Sequence, residues 1–368
     1  MSSATNVRTS RDTDRWEIEI RADIPTESLQ MYRAEAIKEI QKTAKLDGFR
    51  PGHAPEEAIV RVYGETEVMR RAAELAVKSE LPELLAKEQA NIVEAPRVSI
   101  EPPESGKPLA FSARAPLAPE ITLPDYKKIA KSHADAKVDV VVTDEEHGET
   151  LTHLRREKAR IERIEKGVEP AKAYEEAAAL DASGLPELDD EFVKSLGYEN
   201  AEVFSQKVRE NIKNEKELRE AEKRRAAMLD ELAAQSTIRY PALLREYELD
   251  DMEARIQGDL ERMGRTLEQY LTDTKKTREE LRAEWKEAAD KRARVRLILG
   301  EIARKENIQP DEARLAHELE HAKQHYPQAN VDTLRAHIAH ALRNEQVIRF
   351  LEGNPEPAGH TAADHAHT

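Results

Sequence analysis

Between Ala201 and Phe350 apolar residues recur three and four positions apart, and no alternating segment interrupts them. Phe204, Val208 and Ile212 fall on one face of a first predicted helix, continued by Met228, Leu229 and Leu232. Pro241 opens a second, with Leu249, Met252, Ile256, Leu260 and Met263 in its stripe. Thr277-Arg278-Glu279-Glu280 is a capping box, in which Thr and Glu side chains satisfy each other's free backbone N–H groups. The helix it starts carries Leu281, Trp285, Val295, Ile298, Leu299 and Ile302. Two shorter helices follow, from about Asp311 and from about Val331 to Leu351. A helical period sustained this far reads as helical throughout. Composition says what kind of helices these are. Of the 368 residues 4% are aromatic and 36% charged, and mean hydropathy is −0.75. Such a chain builds long solvated helices with thin cores more readily than one large globule. Its length allows about two or three domains.

The N-terminal part has a different rhythm. Residues 1–14 are polar and are expected to be disordered. Trp16, Ile18, Ile20 and Ala22 then alternate with Glu17, Glu19 and Arg21, as in a strand with one buried face. Pro25-Thr26 opens a helix with Leu29, Ile37, Ile40 and Ala44 in one stripe. A short helix with Ile59, Val62 and Tyr63 ends at Gly64, and further helices run from about Thr66 to Ala90, interrupted near Pro82. Val98 and Ile100 mark a second strand, and Leu109, Phe111, Ala113 and Ala115 a third. The order β-α-α-α-β-β predicts an α+β domain over 15–116. Pro116, Pro119 and Pro124 make the next stretch an extended linker, and Val138, Val140 and Val142 alternate as a short strand or extended segment. Thr143-Asp144-Glu145-Glu146 caps a helix to about Lys166 whose dense charges read as a solvated face. Linker and connecting helix together occupy 117–184, an elongated all-α domain follows over 185–352, and 353–368 reads as a disordered tail.

Two of the N-terminal helices meet in Gly48-Phe49-Arg50-Pro51-Gly52-His53-Ala54-Pro55. Pro51-Gly52 suits the centre of a type II turn, and Pro51 pushes Arg50 toward extended backbone. Pro55 stands where a helix can begin. An aromatic ring and a cation are thereby held at the tip of a rigid turn, which suits docking, while an ordinary helix connection with a buried Phe satisfies the same pattern.

Gly-Phe-Arg-x-Gly-x-x-Pro resembles the ribosome-docking signature of trigger factor, the bacterial chaperone family of the ribosomal tunnel exit, and residues 48–55 match it. Pro51 and His53 depart from it, standing where many members have Lys. The resemblance implies docking on the large ribosomal subunit, protein and rRNA, through Gly48, Phe49, Arg50, Pro51, Gly52 and His53, which makes 15–116 a ribosome-binding domain. It also implies an ATP-independent chaperone that shields nascent or unfolded polypeptides in the cytoplasm and assists their folding and export. A homodimer off the ribosome belongs to the same expectation. Most members carry an FKBP-type prolyl isomerase domain after the connecting helix. Here Gly167 to Ser183 is an Ala- and Glu-rich connector, and the chain resumes at Leu185-Pro186-Glu187-Leu188-Asp189-Asp190-Glu191-Phe192, so that domain reads as deleted. Prolyl isomerisation, as in full-length members, is the alternative function; a helical scaffold without a ribosome role is another.

A net charge of −15 argues against wrapping nucleic acid, so any RNA contact should be local. The absence of Cys fits a reducing compartment, and neither a signal peptide nor a membrane span is predicted. His317-Glu318-Leu319-Glu320-His321 is a literal His-Glu-x-x-His, in which two His one turn apart bind zinc and the Glu serves as base. Glu320 puts a charge where zinc peptidases keep an uncharged residue, and no third ligand pattern follows, so the expectation is no metal, no cofactor and no catalytic residue. For the client-binding role, Met252, Met263, Trp285, Leu315, Leu319, Leu334 and Ile338 are the candidates: regular apolar stripes in a chain with few aromatics to close a deep core. Met adds a side chain flexible enough for varied apolar partners.

Overall fold

The computed structural model describes residues 2–43, 49, 53–104, 106–136 and 138–353. Positions 48 and 50–52 of the loop, and all of the expected tail beyond Gly353, lie outside the described residues. In chain order the elements are β1 (Thr5–Asp12), β2 (Glu17–Ile24), α1 (Thr26–Thr43), α2 (Glu56–Tyr63), α3 (Glu65–Lys87), β3 (Arg97–Ile100), β4 (Leu109–Pro116) and β5 (Glu120–Thr122). Then come α4 (Tyr126–Asp135), α5 (Asp144–Glu165), α6 (Pro170–Ala178), α7 (Asp190–Ser195), α8 (Ala201–Gln235) and β6 (Thr237–Arg239). The chain ends with α9 (Ala242–Arg262), α10 (Leu267–Thr274), α11 (Arg278–Glu306), α12 (Glu312–His325) and α13 (Val331–Leu351). They form two compact units. The first joins the chain up to Pro124 with Gln235–Ile308, and the second joins Asp125–Ala234 with the chain from Gln309 on. The expected boundary at 185 is therefore not where contacts divide: α9–α11 belong with the N-terminal sheet.

In the first unit an antiparallel sheet of order β1-β2-β4-β3 buries one face under α1 and α3. The expected alternation holds in β2 and β4, and the cross-strand partners are matched by size. Ile18 faces Ala115, Ile20 faces Ala113 and Ala22 faces Phe111, so in these three pairs a large side chain lies beside a small one, and Ile24 facing Leu109 closes the end of the layer. The helix α3 meets them with Ala72, Ala73 and Ala76, which let its axis come close without aromatic filling. It also runs unbroken through Pro82, where an interruption was expected. Leu81 and Leu84 are buried on either side of that proline, and their packing outweighs the one hydrogen bond it removes.

Residues 1–14 are not the frayed end that their polarity suggests. Thr5–Asp12 is an edge strand paired along β2, and both its faces are wet, so no alternation betrays it. Its start is anchored on Glu80, which is 5% exposed. Ser2 Oγ (2.6 Å), Ser3 N (2.7 Å), Ser3 Oγ (2.7 Å) and Tyr32 OH (3.2 Å) all donate to that carboxylate. Burial opposes its ionisation, but the donors outweigh burial and hold the carboxyl below the ordinary glutamate range.

β6 interrupts the run read as helical throughout: it pairs with β5 as a two-stranded ribbon, so the proline-rich linker closes against the segment that re-enters the unit at residue 235. Trp16, at φ 55° in the left-handed region, donates from Nε1 to the Ala118 carbonyl (2.9 Å), and Arg239 lies over its ring. Beyond the ribbon, α9 and α11 pack as a hairpin whose seam is ionic. Glu248, 2% exposed, accepts from Arg292 (3.1 Å) and Arg296 (2.7 Å). Glu253, 8% exposed, meets Arg278 and Arg282, and Arg282 also reaches Glu246 and Asp250.

In the second unit the capping box of α5 forms as expected. Its charges are not merely solvated. Arg155 donates to the carbonyls of Leu185 and Pro186, and Lys158, buried over the Phe192 ring, donates to the Glu187 carbonyl. These bonds strap 185–189 along α5. The connector read as Ala- and Glu-rich folds as α6, with Ala177 packed near Ala159 and Leu185. Val138 to Val142 forms no ladder among the described residues; Lys216 and Arg209 of α8 instead donate to the carbonyls of Val141 and Val142.

Two stability outcomes follow from the buried acids. Glu80→Ala should cost about 1.5–3 kcal/mol in urea unfolding, since a charged acceptor loses several donors, and β1 amides should lose exchange protection. Because the folded-state value of Glu80 is depressed, its contribution is complete above pH 4.5 and disappears as pH falls through the lower folded value; the variant should show a correspondingly flatter acid limb. For the hairpin, removing both Arg292 and Arg296 should cost about 3–5 kcal/mol by stranding Glu248, whereas Glu248→Met should be neutral or stabilising. Equal losses in the two variants would show that the seam is not governed by charge desolvation.

Candidate functional site

Ala54 and Pro55, where the motif meets α2, sit in a firm base. Ile37 and Ile40 at the end of α1 pack with Ala54, Ile59 and Val68, and Gln41 Nε2 donates to the Ala54 carbonyl (2.7 Å). Arg33 ties the three helices together, pairing with Glu56 (2.5 Å) and with Glu65 (2.7 Å). Pro55, with φ −66° and ψ 154°, is the N-cap of α2. Phe49 is 41% exposed and His53 is exposed, so the ring is not the buried Phe of an ordinary helix connection. Gly48, Arg50, Pro51 and Gly52 lie outside the described residues.

The expected client-binding residues separate into three groups. Leu315 (1% exposed) and Leu319 (8%) are corrected to core: α12 and α13 pair side by side, and these leucines are buried on α12. Met252, Trp285, Leu334 and Ile338 are half-buried. Met263, at the C-cap of α9, is 73% exposed. Beside it in sequence is a set that the stripe pattern passed over. α10 has no buried residue, and Leu267, Tyr270 and Leu271 are all only half-covered. A signal was present in Thr266-Leu267-Glu268-Gln269, which forms a complete capping box, but the helix is too short to show a period.

The His-Glu-x-x-His pattern does not assemble. Glu318 and His321 line a cleft of about 690 Å³ between α12 and α13, together with His325, Tyr326, Ile338 and Leu342, whereas His317 is exposed and takes no part in it. His321 and His325 are in ring contact (4.7 Å). Among the described residues no three ligating side chains converge. No helix is long and apolar enough to cross a membrane, again among the described residues.

Comparison with known proteins bears on both units. The family model described as bacterial trigger factor protein matches residues 6–154, and that of the trigger factor C-terminus matches residues 200–352. A trigger factor of Caldicellulosiruptor bescii is 27% identical, with 88% of each chain covered. One of Gluconobacter oxydans is 24% identical, over 90% of this chain and 86% of the relative. A solved structure, from work on promiscuous substrate recognition in folding and assembly by the trigger factor chaperone, superposes on 96% of this chain with TM-score 0.51 and 15% identity, a likeness of fold. Between the two family matches the described residues form only the end of α5, α6 and α7, without a strand. The two matches together establish that the chain belongs to the trigger factor family of chaperones, with a short helical connection where a strand-rich isomerase domain would stand.

Proposed function

We propose that this chain is an ATP-independent chaperone of the cytoplasm that docks on the large ribosomal subunit through the 48–53 loop and shields apolar segments of emerging polypeptides, without catalysing prolyl isomerisation. The observation that carries the reading is Phe49: a large ring left 41% exposed on a loop whose base is clamped by Gln41, Ile40 and Ile59, inside the family's Gly-Phe-Arg-x-Gly signature. An anchor that is already exposed needs no unburying before it docks, which reduces the cost that docking must overcome. Arg50 supplies the cation beside it. Replacing Phe49 and Arg50 with Ala should abolish co-sedimentation with ribosomes while thermal unfolding stays within about 0.5 kcal/mol of the parent, because exposed loop positions carry little stability. Undiminished co-sedimentation would overturn the docking role.

Client capture requires apolar groups that remain uncovered after folding. Met263 with Leu267, Tyr270 and Leu271 meets that requirement, and Leu315 and Leu319 do not. Fully burying one such side chain contributes about 1.5–3 kcal/mol, so partial burial of several gives binding that holds and still releases. Met263→Lys with Leu271→Lys in the full chain should leave helicity unchanged and weaken suppression of aggregation of an unfolded protein several-fold. Suppression equal to that of the parent would move the client surface elsewhere.

A further inference from the structure

The sheet face turned away from α1 and α3 carries four exposed arginines in an arrangement that stability does not favour. Arg8 of β1 stands directly opposite Arg21 of β2, and Arg97 of β3 directly opposite Arg114 of β4. Like charges in opposed positions destabilise a ladder. One carboxylate, Glu19, lies in these two rows, shared between Arg114 (3.0 Å) and Arg21 (3.2 Å), and the two guanidinium groups hold it below the usual range. Arg8 and Arg97 make no ion pair among the described residues. The remaining positions of the two rows are Ser10, Ser99 and Ser112, short hydroxyls that leave the guanidinium groups uncovered. Acidic residues border the band on both sides: Asp12, which accepts from the backbone of Asp14 and Arg15 and lies near Arg114, Asp23, which accepts from Asn6, and Glu101, exposed next along the line of Arg97 and Ser99. Glu17 is half-buried beyond them.

We propose that this face is a docking surface for the phosphodiester backbone of RNA, separate from the 48–53 loop. Every cation in the band is Arg, whose planar fork grips phosphate oxygens two at a time, where Lys offers a point charge. Rows two residues apart on a strand are about 6.8 Å from one another, so the band presents successive cations along an extended polyanion, with serine hydroxyls between them. Among the described residues of these strands no aromatic side chain lies on the face to stack a base, so recognition is of the backbone and independent of sequence. A band this narrow fits the local contact that a chain of net charge −15 allows.

The test is fluorescence anisotropy of a labelled single-stranded RNA with the full chain, between about 50 and 200 mM salt, where each phosphate contact contributes about 0.7 to the slope of log K on log salt. Four contacts predict a slope of about −3, and Arg8→Gln with Arg97→Gln should bring it to about −1.5 while raising unfolding stability slightly, since both opposed pairs are relieved. The Phe49→Ala, Arg50→Ala variant should bind this RNA as the parent does, which separates the sheet face from ribosome docking. No binding at about 50 mM salt, or a slope unchanged in the arginine variant, would refute the proposal. So would displacement of RNA by polyglutamate at equal charge concentration, which would identify an acidic protein surface as the partner.

Discussion

Glu248 and Glu253 occupy the seam between α9 and α11 where a richer sequence would place leucine or phenylalanine, and each is met there by two arginines. An ion pair at a buried seam gains little net energy over an apolar contact, because both charges must first be desolvated. What it does supply is register. A carboxylate 2% exposed tolerates no slip that removes its guanidinium partners, and Arg282, bridging Glu246, Asp250 and Glu253, fixes the pairing over two turns of α9. Apolar side chains not needed in that seam are free to remain at the surface. Met263 and the residues of α10 remain there, immediately beyond it in sequence.

The same economy of aromatic residues shapes the sheet. Alanines on α3 approach β2 and β4 closely, and the alternation of large and small partners across those strands fills the space that Phe or Trp would otherwise take. Dense packing by small residues is as effective per unit volume as packing by large ones, provided the backbones come near enough. That condition places the weight on geometry: a helix kinked at Pro82 would withdraw Leu84 and open the layer. Its unbroken course follows from the packing on both sides of the proline.

Much of this was legible because period and burial coincide. β2 and β4 alternate and are buried on one face; α8, α9, α11 and α13 keep a three-and-four spacing; Thr143 and Thr277 announce capping boxes that form. The failures share a cause, which is that partners distant in sequence decide the outcome. β1 is polar on both faces and is ordered by pairing with β2 and by the donors it places on Glu80 of α3. The charges of α5 resemble a solvated face until Arg155 and Lys158 are seen to hold 185–189. Leu315 and Leu319 share the spacing of Met252 and Met263, and only the pairing of α12 with α13 separates core from surface. In the loop, the pattern left open whether Phe49 is buried, because exposure is set by the surrounding fold and not by the residues of the motif.

The connection between α5 and α8 joins the two family-matched regions by a short helical segment. Such a joint must leave neither apolar surface nor backbone polar groups uncovered. Here α6 lays Ala173 and Ala177 into buried positions, and Leu185 joins the same small cluster with Ala159. Arg155 and Lys158 satisfy the carbonyls of 185–187, so the strap carries its backbone polar groups bonded instead of stranded. Short helices with alanine contacts and cationic straps need no large core of their own, which suits a chain with so few aromatic residues.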